Sequence, residues 1–198
     1  MNYNYRLFYL LGLLLVLISC KNEVKDSPQQ TEMISVPEKK ELNVEEKAQL
    51  NSILTKAMIR SELKTFVSTL VTTGITDMLS KQEGPFTIIA PSNAAFNKIN
   101  NRKMDSLLNP VNKDRLKNLV NSHIIEGNLD TSTLVQNIKN GKGNYKIIAL
   151  SGATYTVSRD GTNIIITDEK GAKATIGKSD IIGSNGILHI LDEVLSTH

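Results

Sequence analysis

The chain has 198 residues, of which 40% are hydrophobic and 22% are charged. This composition is typical of a globular domain and excludes a chain that is fibrous or disordered throughout. The 23 basic and 20 acidic residues give a net charge of +3, and there is no Trp. Charges of both signs are interspersed, so no dense basic patch is available, and the sequence argues against nucleic acid as a partner.

The N-terminal segment has the features of an export signal. Arg6 precedes an unbroken apolar stretch over residues 7–18. This stretch is too short for a transmembrane helix but suits the core of a signal peptide. The tetrapeptide Leu17-Ile18-Ser19-Cys20 resembles a bacterial lipobox, which implies that residues 1–19 are a lipoprotein signal peptide. The resemblance further implies that Cys20 carries acyl chains such as palmitate; an ordinary secretory signal and an uncleaved anchor are the alternatives.

A polar segment follows the cysteine. Residues 21–41 mix both charges and contain Pro28 and Pro37. Such a segment buries too little apolar surface to fold, so residues 20–42 are predicted to be a lipidated cysteine and a flexible tether. Because Cys20 is the only cysteine, the domain predicted over residues 43–198 has no internal disulfide and depends on its hydrophobic core.

Helical patterns dominate the first part of this domain. Asn43 and Glu46 have the spacing of a capping box. Apolar residues then recur at helical spacing in two stripes, the second of which ends at Gly74. A further short helix is expected over residues 75–80. The two stripes are formed by Leu50, Ile53, Leu54, Ala57 and Met58, and by Leu63, Phe66, Val67, Leu70 and Val71.

Further along, residues 86–90 read as a buried strand that ends at Pro91, after which Ser92 is placed to cap a short helix. Three more helices are expected: over residues 104–108, over residues 112–125 with His123 and Ile124 on its apolar face, and over residues 130–138.

The last part of the chain changes to strand patterns. Strands are expected at residues 145–150, 153–157, 164–167 and 172–176, followed by a final pair. Asp160-Gly161 and Asn185-Gly186 are hairpin signals, in which both central residues favour positive φ. Since helices come first and strands last, the pattern predicts an α+β fold and argues against a repeated parallel βαβ unit.

Three segments resemble the fasciclin (FAS1) family: residues 84–96, residues 123–127 and residues 179–192. The likeness covers roughly residues 46–195. It implies a FAS1 fold in which N-terminal helices precede the strands, and two small β-sheets form a wedge with helices around them. The motif residues, for which the resemblance implies a mainly structural role, are Phe86, Pro91, Ser92, Asn93, Phe96, His123, Asn185, Gly186 and His189.

Specific roles follow from the resemblance. It implies that Asn93 and His123 form a hydrogen bond across the core. His189 shares a strand face with apolar residues and is expected to be a core histidine with satisfied hydrogen bonds. Ser122 stands where the family has a Tyr before the histidine. An integrin-binding mode that depends on this Tyr is therefore not expected here.

No set of residues in the sequence forms a recognisable active site. His123, His189 and His198 do not have metal-ligand spacing, and no Gly-x-Ser-x-Gly nucleophile motif is present. An enzyme, a metal and a cofactor are therefore not expected, and the site residues include no catalytic group.

The functional expectation is a lipid-anchored protein of the cell envelope that mediates adhesion or binds a protein or glycan. A second copy of the chain is among the candidate partners. The expected location is the outer membrane, with the question of surface exposure left open. Two alternatives remain: a periplasm-facing structural or assembly lipoprotein, and a module that binds a small molecule.

Overall fold

A computed structural model describes residues 41–82 and 84–195. Contacts group the chain from Glu41 onward into one compact unit. The predicted signal peptide, the lipidated Cys20, most of the tether and His198 lie outside the described residues. Within the described part of the chain, no helix is long and apolar enough to cross a membrane.

The N-terminal half is mainly helical. Asn43 forms the predicted capping box at the start of the first helix, but the first predicted stripe is divided into two helices because Ser52 caps a new one. Leu50 and Met58 are consequently half exposed rather than part of the core. The helices are α1 (Val44–Leu50), α2 (Ile53–Met58), α3 (Lys64–Thr73), α4 (Ile75–Lys81), α5 (Asn93–Asn97), α6 (Asn101–Leu108), α7 (Lys113–Asn121) and α8 (Thr131–Asn140).

One predicted helix is wrong at its C-terminal end. The helix expected over residues 112–125 stops at Asn121, and Ile124–Glu126 is a strand. The competing interaction is sheet pairing: Ile124 and Ile125 stand opposite Ile88 and Thr87, and β-branched residues pack well in a pleated sheet. His123 therefore lies at the junction between the helix and this strand.

In the described part of the chain, seven strands form a continuous sheet in the order β2-β1-β7-β6-β5-β4-β3. All neighbours are antiparallel except β1 and β7. The backbone N–H of Leu150, just beyond β3, donates to the Ile124 carbonyl in β2 at 2.8 Å. The strands are β1 (Phe86–Pro91), β2 (Ile124–Glu126), β3 (Asn144–Ile148), β4 (Thr154–Asp160), β5 (Asn163–Thr167), β6 (Lys173–Gly183) and β7 (Gly186–Leu191).

The α+β prediction is confirmed, but two separate small sheets are not what the structure contains. β6 is 11 residues long. Its first part pairs with β5 and its second part with β7. Register shifts between Ile176 and Ile181 bend β6 where it passes from one neighbour to the other. One long irregular strand thus joins the two halves into a single sheet.

Two hydrophobic clusters lie on opposite faces of this sheet. Helices α2 to α7 cover one face of β1 and β7. The second cluster is enclosed by the curled strands and α8. Neighbouring residues of β1 divide between them: Ile88 belongs to the first cluster and Ile89 to the second. Successive strand residues point to opposite faces, so all six residues of β1 are buried.

Candidate functional site

The first motif segment forms the strand–helix corner predicted for it. β1 ends at Pro91, and the Ser92 hydroxyl accepts a hydrogen bond from the Ala95 N–H at 3.1 Å. Phe86 at the start of β1 and Phe96 in α5 are both buried. The hydroxyl satisfies a backbone donor that the first turn of α5 would otherwise leave open. The corner therefore sets the direction in which α5 leaves the sheet.

Asn93 connects this corner to the start of α3. Its Oδ1 accepts from the Thr65 N–H at 2.9 Å, and its Nδ2 donates to the Ser61 carbonyl at 2.8 Å. The prediction of a hydrogen bond between Asn93 and His123 is wrong, because the two side chains bond to different backbone segments. Asn93 instead joins two helices of the layer that covers the sheet.

Replacement of Asn93 by Ala is expected to lower the free energy of unfolding by about 1–3 kcal/mol, because the Thr65 N–H and the Ser61 carbonyl lose their partner. Thermal unfolding followed by circular dichroism measures the effect. Asn140→Ala, at an exposed position near the end of α8, is the control and should change the melting temperature little. An unchanged melting temperature for Asn93→Ala would contradict a structural role.

His123 is completely buried and bridges two distant backbone segments. Its Nδ1 lies 2.8 Å from the Leu119 carbonyl, and its Nε2 lies 3.2 Å from the Leu195 nitrogen. The Leu195 N–H can only donate, so Nε2 accepts and Nδ1 carries the proton; the ring is neutral. Burial lowers the pKa of His123 to about 4, although the bond to Leu119 opposes this shift.

His189 has a similar arrangement on strand β7, which lies between β1 and β6. Nε2 lies 2.7 Å from the Leu129 carbonyl, and Nδ1 accepts from the Asp180 N–H at 3.3 Å. Burial lowers the pKa of His189, and the bond to Leu129 together with the carboxylates of Asp180 and Asp130 partly offsets the effect. The neutral ring thus connects the loop before α8 with the irregular part of β6.

The Asn185-Gly186 segment lies at a junction of several elements. The Asn185 side chain accepts from the Ile53 N–H at 3.0 Å and donates to the Leu79 carbonyl at 2.9 Å. Gly186 begins β7, where a Cβ would stand 1.9 Å from the Phe86 carbonyl oxygen. The predicted hairpin exists, but only Gly186 of this pair has positive φ. Asn185 is needed for its side chain rather than for its backbone conformation.

Some residues at this junction were not singled out in the sequence. Asp180 has φ of +56° in the irregular part of β6, and its Oδ1 accepts from the Thr131 N–H at 2.8 Å. Gly183 passes so close to α2 that a Cβ would lie 2.5 Å from the Ile53 nitrogen. The Gly-Ser-Asn-Gly pattern of residues 183–186 is a signal for the hairpin, but nothing in the local sequence marks Asp180.

Two open clefts adjoin the junction. One, of about 590 Å³, is lined by Asp130, Asp180 and the β6–β7 hairpin. The other, of about 780 Å³, lies between α1, the first turn of α2 and the end of α4. Within residues 41–82 and 84–195, no group of three or more His, Cys, Asp or Glu side chains is placed to hold a metal ion. Neither cleft contains His123 or His189 among its lining residues.

The two motif histidines thus have both ring nitrogens occupied by backbone groups. In this state neither ring nitrogen is free to take up or deliver a proton to a substrate. Asn93 and Asn185 likewise bond to backbone groups at element junctions. These motif side chains therefore hold loops and helices to the sheet.

The fold has a counterpart among solved structures. It matches a FAS1 domain pair from the insect cell adhesion molecule fasciclin I with a TM-score of 0.53 and 26% identity, over 68% of this chain and 45% of that one. The described domain therefore has the FAS1 fold.

The family model for the fasciclin domain matches residues 61–197. Protein sll1483 of Synechocystis is 31% identical over 150 residues, which are 75% of this chain and 76% of the relative. The chain belongs to the fasciclin domain family. Fasciclin-1 of Drosophila melanogaster is 33% identical over 115 residues, which are 55% of this chain but only 16% of that protein. The chain thus spans most of the cyanobacterial relative but a small part of the much longer insect protein.

Proposed function

We propose that this chain is an exported, lipid-anchored protein of the cell envelope whose fasciclin domain mediates adhesion by binding a protein or a glycan, without catalysis. A second copy of the chain on a neighbouring cell is among the candidate partners. The observation that carries the proposal is membership of the fasciclin domain family, together with likeness to a solved domain pair described as part of a cell adhesion molecule.

The sequence before the domain supports the anchoring part of the proposal. The apolar stretch at residues 7–18 and Cys20 fit a lipoprotein signal, and residues 20–42 would form the tether. One acyl chain holds a protein only marginally, whereas several give stable anchoring. Many anchored copies on one surface would strengthen a weak contact, because linkage raises the effective concentration. The outer membrane is the proposed location.

The non-catalytic part is supported by how the buried polar side chains are used. His123 and His189 are neutral, and each bonds to two backbone segments. Removing either ring would leave buried backbone groups without partners, which costs about 1–3 kcal/mol per group. A structural requirement of this kind accounts for both histidines without a substrate.

The test is protease shaving of intact cells, detected with an antibody against the domain, beside a periplasmic control protein. We expect the domain to be digested while the control survives, and cells that lack the domain to lose adhesion. A Cys20→Ser variant should be released from the membrane fraction. Protection of the domain until the envelope is opened would contradict the adhesion proposal and favour a partner inside the envelope.

A further inference from the structure

The connection between α6 and α7 presents two apolar side chains to solvent. We call residues 108–113 the hairpin tip. Val111 is 90% exposed and Leu108 is 49% exposed. Isolated exposed apolar residues are common on protein surfaces and need no explanation. Here, however, two of them lie within four positions at one turn of the chain, which indicates a contact surface. The charge around the turn indicates the kind of partner.

Hydrogen bonds fix the shape of this tip. The Val111 N–H donates to Asn109 Oδ1 at 3.0 Å, and the Asn112 N–H donates to the Asn109 carbonyl at 2.8 Å. The Asn112 side chain donates to the Ser106 carbonyl at 2.8 Å. The exposed position of Val111 is thus part of an ordered turn. A surface that binds there would lose little conformational entropy in the protein.

The two helices that carry the tip are basic. Residues 101–117 contain five basic and two acidic residues, a net charge of +3. The ion pairs of Lys81, Lys98 and Lys178 lie outside this stretch. Lys113 is the last residue of the tip, and Lys117 lies one turn further along α7. The five basic side chains, all exposed, are Arg102, Lys103, Lys113, Arg115 and Lys117.

We propose that the hairpin tip docks onto an anionic lipid bilayer, with Leu108 and Val111 entering the interfacial region and Lys113 and Lys117 pairing with lipid phosphates. Such a bilayer has a negatively charged headgroup layer and an apolar region a few ångströms below it. The basic side chains match the charged layer, and the two apolar side chains match the region below it. The proposal goes beyond adhesion, because it concerns how the domain lies against a membrane rather than which ligand it binds.

Another exposed apolar residue provides an internal contrast. Ile182 is 70% exposed, but it lines the cleft that also contains Asp130 and Asp180. Carboxylates beside it would be repelled by anionic lipid. Exposure alone therefore does not predict docking at Ile182, and this residue serves as a matched control.

The experiment places an environment-sensitive dye on single cysteines in the full chain carrying Cys20→Ser, by the substitutions Val111→Cys, Leu108→Cys and Ile182→Cys. The Cys20→Ser chain, which has lost the only native cysteine, is the labelling blank. With phosphatidylglycerol-containing vesicles, we expect the emission to shift to the blue at positions 111 and 108 and to stay water-like at 182. Vesicles of phosphatidylcholine alone should give a much weaker shift.

Charge reversal tests the basic part of the surface. Lys113→Glu combined with Lys117→Glu should weaken the apparent vesicle affinity, read from the dye at position 111, by more than about tenfold. Lys47→Glu combined with Lys139→Glu makes the same change in net charge at exposed positions outside the hairpin, and should have a much smaller effect.

Three results would overturn the proposal: a dye at 111 and 108 that stays in water, an equal shift at 182, or equal losses from the two charge reversals. None of them would affect the proposed adhesion, which is read from intact cells and does not depend on the hairpin tip.

Discussion

Replacement of Gly186 by Ala should lower the free energy of unfolding by about 3–5 kcal/mol, from overpacking and backbone strain combined. The new Cβ would stand 1.9 Å from the Phe86 carbonyl oxygen and 2.8 Å from the Phe86 nitrogen. Both atoms belong to the backbone of β1, so the rotation of a side chain cannot relieve the clash. The residue also has φ of +152°, which disfavours any side chain.

Chemical denaturation at equilibrium measures this loss. For a domain of this size it corresponds to roughly 6–20 °C in melting temperature. Gly177→Ala is the matched control in the same hairpin: a Cβ there meets only the Ile190 carbonyl oxygen at 3.7 Å, an ordinary contact. Equal melting temperatures for the two variants would show that β1 and β7 are not in close contact at residue 186.

His123 should make the domain sensitive to acid. Its pKa is about 4 in the folded protein, against roughly 6.5 in the unfolded chain. Between these values the unfolded state binds a proton that the folded state does not. The stability contributed by the neutral ring is therefore present above pH 6.5 and is lost as the pH falls toward 4. The loss amounts to roughly 3 kcal/mol.

Unfolding free energies measured from pH 7.5 to pH 4 test this expectation. His123→Gln removes the titrating group, so its stability should be lower at neutral pH but should fall less steeply with acid. His189 also has a lowered pKa and should leave a residual slope in that variant. Identical pH profiles for the variant and the parent chain would contradict a buried neutral His123.

The overall fold was largely predictable from the sequence, because amphipathic helices, alternating strands and hairpin turns are local patterns. The helix at residues 112–125 shows where this reasoning ends. Leu116, Leu119 and Val120 follow helical spacing, and Ile124 continues it, yet Ile124 pairs with Ile88 in β1. The local pattern allowed a helix and a strand equally at Ile124, and pairing with β1 selected the strand.

The site was predictable in its residues and less so in its contacts. Asn93, Asn185 and the two histidines were named from the sequence as motif residues, and all four bond to backbone groups. Their partners are almost all backbone atoms of other elements, such as the Leu195 N–H that bonds to His123, 72 positions away. Backbone atoms have the same chemistry at every position, so the sequence does not indicate which of them will bond to a given side chain. The expected pairing of two side chains was wrong for this reason.

The place of β7 in the sheet has a consequence for the order of events during synthesis. This strand follows the other six described strands along the chain, yet it lies between β1 and β6, and Leu195 beyond it closes over His123. A growing chain that lacks residues 186–195 leaves β1 without its longest partner and the buried imidazole without one of its bonds. Pairings of such large sequence separation form late and slowly. We therefore expect the domain to stay unfolded until residues 186–195 have been made.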